Sequence, residues 1–368
     1  MPDPESPLTV GVVKETKPGE RRVALVPTLV GRLTRRGLRV VIESGAGEGA
    51  QLADEVFEEA GAEIGDAWAA DIVLTVSPPS VADIGKLGKA AVLAGFLAPL
   101  TNTEELAAMK KAGIRAFAVE SIPRISRAQA MDALSSQAGV AGYRAVLLAA
   151  QRLPKFFPML TTAAGTVPPA KVLVLGAGVA GLQALATAKR LGAQATGYDV
   201  RPEVAEQVRS VGANWLDLGI EAAGEGGYAR ELTEAEREEQ QRRLTEATTG
   251  FDVVITTALV PGRIAPTLVT AEAVRGMRAG SVIVDMAGET GGNCELTEPG
   301  KEIVAHDVTI CSPLNLPAEM PVHASELYGR NLTELLELLV NAEGELVLDF
   351  SDPIVSGACV AGADEEVR

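Results

Sequence analysis

One segment in the middle of the chain restricts the possible fold more than any other. An apolar run, Val172–Leu175, leads directly into GAGVAG at 176–181, and a helical pattern, LQALATAKRLG, follows. The first glycine of such a loop allows a tight turn, the second a close approach of the backbone to a pyrophosphate, and the third close helix–strand packing. The helix N-terminus adds free N–H groups and partial positive charge. The residues predicted to bind a dinucleotide here are Gly176, Gly178, Val179, Ala180 and Gly181.

An acidic residue closes the next strand. Asp199 lies 18 residues after Gly181, at the end of ATGYD. A carboxylate in this position accepts hydrogen bonds from the ribose hydroxyls and repels a 2′-phosphate, so it favours NAD(H) over NADP(H). Arg201 slightly weakens that inference, because an arginine near this position can accommodate the extra phosphate. Ala258 and Leu259 follow a later strand and are predicted at the same sheet edge.

Short apolar runs alternate with helical stretches in both halves of the chain, beginning with LTVGVV at 8–13. Such alternation indicates βαβ units. We therefore predict an α/β fold of two Rossmann-like domains with parallel, doubly wound sheets, linked by long helices. One helix is predicted over 127–153, and an amphipathic helix over 318–341 is expected to pack on the first domain. The predicted domains are 1–135 completed by 315–368, and 136–314.

Composition excludes several classes of function. The formal net charge of −16 argues against a nucleic-acid partner, because phosphate binding needs clustered Lys and Arg. The three cysteines form no CxxC pair and the two histidines have no ligand-like neighbours, so no metal site is predicted. No apolar run reaches the ~20 residues of a membrane-spanning helix, and no signal-peptide pattern is found. We expect a cytoplasmic protein that does not insert into a membrane.

An unusually long connection separates the third and fourth strands of the second half. It carries Gly226-Gly227-Tyr228, which places a tyrosine beside two glycines, as a lid over a bound ring requires. An exposed surface loop explains the same pattern equally well. Downstream, residues 233–247 have the charge spacing of a solvated helix.

Four longer motifs together resemble one known family. They are KETKPGERRVALVP at 14–27, PRISRAQAMDALSSQAGVAGYRAV at 123–146, the segment TAAGTVPPAKVLVLGAGVAGLQA around the glycine loop, and GGYARE at 226–231. All are similar to the NAD(H)-binding first domain of the proton-translocating nicotinamide nucleotide transhydrogenases, and the resemblance extends over nearly the whole chain. The opening motif also resembles that of the alanine dehydrogenases, so two related functions have to be distinguished.

Two positions separate these functions. The resemblance to alanine dehydrogenase implies a substrate-binding lysine and a catalytic histidine where this chain has Thr75 and Ala98. Oxidation of an amino acid needs an acid–base group and cations for the carboxylate, and only Arg22 remains of that set. Direct hydride transfer between two nicotinamides releases no proton at the reacting carbon and depends on positioning. The transhydrogenase function is therefore favoured.

The transhydrogenase resemblance assigns roles to individual residues. In RISRAQAMD it implies that Arg124, Gln129 and Asp132, with Ser135 just beyond, act on the dihydronicotinamide and its ribose. Ala130 and Met131 of the same loop are then expected to contact the cofactor. From helix geometry we expect Gln129 and Asp132 to share one face of the long helix, with Arg124 paired to Asp132 or bound to a phosphate of the second nucleotide. A helix cap with a local ion pair is the structural alternative.

The same resemblance extends to the second half of the chain. It implies that Tyr228 belongs to a mobile loop that folds over bound NAD(H) and takes part in catalysis. It also implies that Asp199, Val200 and Arg201 contact the adenosine ribose. Further nucleotide contacts are implied for Gly227, Gln240 and Leu259.

The resemblance also implies partners. Because this chain has no spanning helix, it resembles the split-gene form, a peripheral subunit on the cytoplasmic face of the membrane that docks on separate membrane-spanning and NADP(H)-binding subunits. A homodimer is expected. The implied reaction is hydride transfer from NADH to NADP⁺ on the partner, coupled to proton translocation in the membrane subunits. Two alternatives remain: a self-contained, alanine dehydrogenase-like oxidoreductase, and an NAD(H) sensor without catalytic activity.

Overall fold

The computed structural model describes residues 7–219, 233–259 and 263–362. The chain divides into two compact units. Unit 1 joins Met1–Gln137 to Pro317–Arg368, and unit 2 is the continuous stretch Ala138–Leu316. The first boundary therefore falls within the long helix α5 (Ala133–Arg152).

Unit 1 is built on a seven-stranded sheet. In chain order its strands are β1 (Thr9–Val12), β2 (Arg39–Ile42), β3 (Glu63–Ile64), β4 (Ile72–Leu74), β5 (Val92–Gly95), β6 (Arg115–Ala118) and β16 (Cys359–Ala361). The spatial order is β16-β6-β5-β4-β1-β2-β3. All neighbouring strands are parallel except β16, which runs antiparallel to β6.

The helices of unit 1 come from both parts of its sequence. They are α1 (Pro27–Thr34), α2 (Asp54–Glu59), α3 (Val81–Ile84), α4 (Thr103–Ala112), α10 (Pro321–Leu339) and α11 (Pro353–Ala358). The leucine face of α10, with Leu332, Leu335 and Leu336, is buried in one core with Val10 and Ile72 of the sheet. Each such leucine contributes about 1.5–3 kcal/mol by leaving water. The predicted packing of this helix on the first domain is confirmed.

Unit 2 contains a second seven-stranded sheet. Its strands are β9 (Lys171–Leu175), β10 (Gln194–Tyr198), β11 (Asn214–Trp215), β12 (Val253–Thr256), β13 (Val282–Asp285), β14 (Glu302–Ala305) and β15 (Val308–Cys311). The spatial order is β11-β10-β9-β12-β13-β15-β14, with only β14 antiparallel to its neighbour. The helices are α6 (Val179–Arg190), α7 (Ala205–Ser210), α8 (Glu234–Thr248) and α9 (Ala271–Gly276), and a separate hairpin pairs β7 (Leu160–Thr162) with β8 (Gly165–Val167).

The two sheets share one topology. Counted from the first parallel strand of each unit, both follow the order 3-2-1-4-5-6 of a dinucleotide-binding fold. The predicted fold class of two Rossmann-like domains is therefore confirmed. The antiparallel edge strands β14 and β16 are additions that apolar alternation did not predict.

The prediction of a single helix over 127–153 is wrong at its start. Residues Ser126–Met131 form a 3₁₀ helix, and α5 begins only at Ala133. Asp132 interrupts the two elements with a non-helical ψ of 82°, and its carboxylate accepts a hydrogen bond from the Ser135 amide at 2.8 Å. An aspartate is favoured in this position because it satisfies a free N–H at the helix start. Consequently Gln129 and Asp132 do not share a face of the long helix, contrary to expectation.

Candidate functional site

The glycine loop of unit 2 joins β9 to α6 at the point where strand order reverses, between β9 and β12. Gly176 has a φ of +101°, and a Cβ there would lie 2.5 Å from the Thr257 hydroxyl. A Cβ on Gly181 would lie 1.8 Å from the carbonyl oxygen of Gly176. Packing within the protein therefore accounts for both of these glycines.

Packing does not account for Gly178. Its φ of −75° suits any residue, and a Cβ there would meet no atom within 4 Å. Gly178 is the N-cap of α6, so the open space lies before free N–H groups and the positive end of a helix dipole. A pyrophosphate fits this cradle, because it needs both the close approach and the donors. Val179 is exposed and Ala180 half-buried beside it.

Asp199 follows β10 directly, and its carboxylate is turned toward the glycine loop. One oxygen, Oδ2, accepts a hydrogen bond from the Ala177 amide at 2.8 Å, and the other, Oδ1, accepts one from the Arg201 amide at 3.0 Å. The Arg201 guanidinium donates to both oxygens, each at 3.0 Å. Burial acts to raise the pKa of Asp199, but these hydrogen bonds outweigh it and lower the pKa below its ordinary value. Val200, between the two, is exposed.

Gln240 of α8 is attached to the same strand end. Its side chain forms a hydrogen bond with the hydroxyl of Tyr198, the last residue of β10. The Tyr198 ring stacks on Trp215 of β11 with centroids 6.3 Å apart. Burial, with the neighbouring Asp199 charge, raises the pKa of Tyr198 to about 12. The hydroxyl is therefore a neutral group that fixes α8 against the sheet edge.

Asn293 is a site residue that the sequence analysis missed. It is fully buried, and its amide accepts a hydrogen bond from Ala258 N at 3.0 Å while donating to Ala258 O at 2.9 Å and to Pro266 O at 2.8 Å. It thus holds the segment after β12, in which Ala258 is half-buried and Leu259 exposed. An asparagine directly after Gly291-Gly292 was the only local signal.

In unit 1, the predicted nicotinamide residues lie around one cavity of about 260 Å³. Arg124, Gln129 and Asp132 line it together with Glu120 and apolar residues such as Ile125. Glu120 Oε1 accepts hydrogen bonds from the Leu97 and Ala98 amides, and burial raises the pKa of its carboxyl group. The cavity has room for a ring-sized group but is below the range of drug-sized sites.

The side chains around this cavity differ in how firmly they are held. The Ser135 hydroxyl donates to Asp132 Oδ2 at 2.6 Å, so the carboxylate is fixed in orientation. Arg124 and Gln129 are exposed, and within the described part of the chain neither side chain has a hydrogen-bond or ion-pair partner, so the expected Arg124–Asp132 pair is not formed. Ala130 is exposed, whereas the Met131 side chain is buried in the core of unit 1, which leaves only its backbone for a cofactor contact.

The strand-order reversal of unit 1, between β1 and β4, is closed by the protein itself. Glu15 accepts hydrogen bonds from the Val76 and Ser77 amides at 2.6 and 3.1 Å. Burial and the nearby Glu20 charge raise the pKa of Glu15 to about 7, against the effect of these hydrogen bonds. This crevice is where a doubly wound sheet would otherwise bind a ligand.

The substrate positions implied by alanine dehydrogenase surround that closed crevice. Arg22 is buried and donates to the Glu20 carboxylate and to Gln137 Oε1. Thr75 is also buried, and its hydroxyl has no hydrogen-bond partner among the residues described. Ala98 has a φ of 48° and offers no acid or base. Neither Thr75 nor Ala98 supplies the chemistry that amino-acid oxidation needs.

Tyr228 and Gly227, predicted to act in a lid, lie outside the described residues. The solvated helix predicted just after them is present as α8, with a capping box formed by Thr233 and Glu236.

Two family models match consecutive parts of the chain. The N-terminal domain of alanine dehydrogenase/PNT matches residues 11–141, and the C-terminal domain matches 145–367. The chain belongs to the alanine dehydrogenase/PNT family. Both halves of the family's architecture are thus present, in agreement with the resemblance found in the sequence.

Relatives within the alanine dehydrogenase/PNT family are not equally similar. The first of the two parts of the NAD(P) transhydrogenase subunit alpha of Rhodospirillum rubrum is 45% identical over 368 residues, which covers 96% of each chain. The crystal structure of a transhydrogenase from Sinorhizobium meliloti has a TM-score of 0.87 and 44% identity, and covers 96% of this chain and 98% of that one. An alanine dehydrogenase of Mycobacterium tuberculosis is 32% identical over 96% of this chain and 90% of its own length. The predicted order of similarity is confirmed.

No helix in the described ranges is both long and apolar enough to cross a membrane. This finding agrees with the α/β architecture that the family shares.

Proposed function

We propose that this chain is the NAD(H)-binding subunit of a proton-translocating transhydrogenase, and that it presents NADH to NADP⁺ bound on a partner subunit. The observation that carries the proposal is the open cradle at Gly178, which only a ligand explains, on a chain whose relatives of 44–45% identity are named transhydrogenases. NADH supplies the hydride when bound, and the protein supplies binding and orientation.

The roles in unit 2 follow from its geometry. The free amides at the start of α6 hold the pyrophosphate, and Gly178 lets it approach. Asp199, Val200 and Arg201 meet the adenosine ribose. Gln240, Ala258 and Leu259 border the same sheet edge, the last two positioned through Asn293.

The roles in unit 1 concern the nicotinamide end. We assign Gln129, with its free amide, to the dihydronicotinamide or its ribose, and Asp132, oriented by Ser135, to a ribose hydroxyl. Arg124 has no partner among the described residues and is therefore available to a phosphate of the second nucleotide. Ala130 and Met131 contribute backbone contacts. None of these residues has to carry a proton, since hydride transfer between nicotinamides needs positioning.

Tyr228 and Gly227 complete the proposal as the tip of a loop that closes over NADH. A tyrosine offers a flat apolar face to a ring and a hydroxyl for a polar contact. Closure of this kind excludes water from the reacting groups and commits the bound nucleotide to transfer.

The proposed partners are membrane-spanning and NADP(H)-binding subunits, which makes this chain a peripheral subunit on the cytoplasmic face, with proton translocation in the membrane subunits. A homodimer is proposed as well. All six residues of the β7–β8 hairpin are exposed, with Phe156 and Met159 exposed beside it. An isolated two-stranded hairpin is marginally stable in water, and adjacent exposed apolar side chains mark contact surfaces.

The two alternatives are weaker on specific observations. An alanine dehydrogenase-like enzyme is opposed by Thr75, Ala98 and the engaged Arg22. An NAD(H) sensor has no need for Arg124 and Gln129, two unpartnered polar side chains that line the same cavity as Asp132.

Absorbance at 340 nm tests the proposed function. With the purified chain, NADH bound according to calorimetry is expected to remain reduced in the presence of pyruvate and ammonium. Oxidation is expected only when membranes carrying the NADP(H)-binding subunit and NADP⁺ are added. Rapid oxidation by pyruvate and ammonium alone would mean an alanine-type dehydrogenase, and no oxidation in either mixture would favour the sensor.

A further inference from the structure

The ion pair between Asp199 and Arg201 occupies the acceptor positions that a ribose would use. Arg201 donates three hydrogen bonds to the carboxylate, through its amide and two guanidinium nitrogens, each at 3.0 Å. The fourth hydrogen bond comes from Ala177 of the glycine loop. The Asp199 side chain is 7% exposed, whereas that of Arg201 is 49% exposed. The arginine therefore reaches solvent at the sheet edge while its charge is held by a buried partner.

These two residue types favour opposite nucleotides. A carboxylate at the end of the second strand binds the ribose hydroxyls of NAD(H), and an arginine nearby accommodates the 2′-phosphate of NADP(H). A guanidinium already bound at two points to a carboxylate has few donors left for a phosphate. The charge of Glu203 also acts on Arg201. The geometry thus neutralises a cation that stands close to where a 2′-phosphate would lie.

We propose that Arg201 is a specificity-determining residue that Asp199 holds inactive, so that the ion pair, and not the carboxylate alone, makes the site select NADH over NADPH. The inference rests on the proposed function, because it requires that unit 2 binds a dinucleotide. It differs from simple repulsion by Asp199 in one respect. Once the carboxylate charge is removed, the gain in NADPH binding must depend on Arg201.

The variants follow from the contacts. Asp199→Asn preserves shape and keeps an oxygen for the Ala177 amide while it removes the charge that holds Arg201. Arg201→Gln removes the cation and keeps a flexible polar side chain. The double variant D199N/R201Q separates the two explanations. Asp199→Ser is the second choice if Asp199→Asn does not give a folded protein in thermal melts.

Calorimetry on the purified chain measures NADH and NADPH affinity, with AMP and adenosine 2′,5′-bisphosphate as probes that lack the nicotinamide. We expect the wild type to bind NADH and AMP, and Asp199→Asn to bind NADPH and the bisphosphate about 10- to 100-fold more tightly than wild type. We expect Arg201→Gln to keep its preference for NADH. The double variant should lose most of the NADPH gain.

Two results would overturn the inference: an equal NADPH gain in the double variant, which would mean repulsion alone, or no gain in any variant without the Asp199 charge. Failure of the wild type to bind NADH and AMP would instead contradict the proposed function. The two failures are therefore distinguishable.

Discussion

The guanidinium of Arg22 is joined to the Glu20 carboxylate at 2.8 Å through Nε and at 2.6 Å through Nη2, inside unit 1. Both side chains are almost inaccessible to solvent. The charge that could bind a free carboxylate is thus engaged by an internal partner. In this chain the arginine of the opening motif is part of the structure of unit 1.

Loss of one partner of this pair should destabilise the protein strongly. Arg22→Met leaves the Glu20 carboxylate buried without its cation, and we expect a cost of about 3–5 kcal/mol in the free energy of unfolding. The double variant Arg22→Met/Glu20→Gln removes both charges and should recover much of that loss. Urea unfolding followed by tryptophan fluorescence measures both. Equal losses in the single and double variants would mean that the ion pair is not what matters.

Gly178→Ala should separate binding from folding. The substituted methyl group meets nothing within 4 Å, so the melting temperature should stay close to that of wild type, with a change in stability below about 1 kcal/mol. NADH affinity should fall at least about 10-fold, because the methyl group fills the space needed by the pyrophosphate. Gly181→Ala is the matched control. Its Cβ would lie 1.8 Å from the Gly176 carbonyl, so it should lose stability as well. Unchanged NADH binding in Gly178→Ala would contradict the cradle.

Gln129→Asn should slow hydride transfer while NADH affinity changes little. The side chain is exposed and has no partner within the described ranges, so its shortening leaves the fold intact but withdraws the amide from the nicotinamide end. The assay is transhydrogenation with membranes carrying the partner subunits, compared with calorimetry on the chain alone. Arg127→Gln, which removes a neighbouring ion pair with Asp352, is the control and should transfer hydride normally. If affinity and rate fall together, Gln129 serves binding only.

Glu15 should make the stability of unit 1 depend on pH. The pKa of its carboxyl group is 4.5 in an ordinary environment and about 7 in the fold, so folding takes up a proton between these values. The stabilisation is complete below pH 4.5 and is lost as the pH rises through 7, by an amount on the order of 3 kcal/mol. Glu15→Gln cannot titrate and should flatten the dependence.

The measurement compares urea midpoints at pH 5 and pH 8 in a Trp215→Phe background, in which the buried Trp68 reports on unit 1 alone. Only the difference between the two pH values is used, since Gln also alters the hydrogen bonds to Val76 and Ser77. An identical pH dependence in both proteins would show that another group titrates.

The sequence predicted those parts of the site whose signals are local. The strand, glycines, helix and acid from Lys171 to Asp199 form one continuous pattern, and the structure has each element where the pattern indicates. The interruption at Asp132 was missed because small helix-forming residues on both sides hid a capping aspartate. Asn293 and Glu15 were missed for another reason. Their partners lie 35 and 61 residues away in the chain, so no local pattern reports them.

The discontinuity of unit 1 has a consequence for how the protein is made. Unit 2 is one uninterrupted stretch, so it can fold as soon as its last strand has left the ribosome. Unit 1 must wait, because α10 supplies the buried Tyr328, whose hydroxyl donates to Thr75 O and accepts from Phe96 N, and because β16 completes the sheet edge. During synthesis the first 137 residues therefore carry an exposed apolar sheet face while nearly two hundred more are added. A newborn chain of this kind depends on chaperones at the stage when its first half is complete in sequence and incomplete in structure.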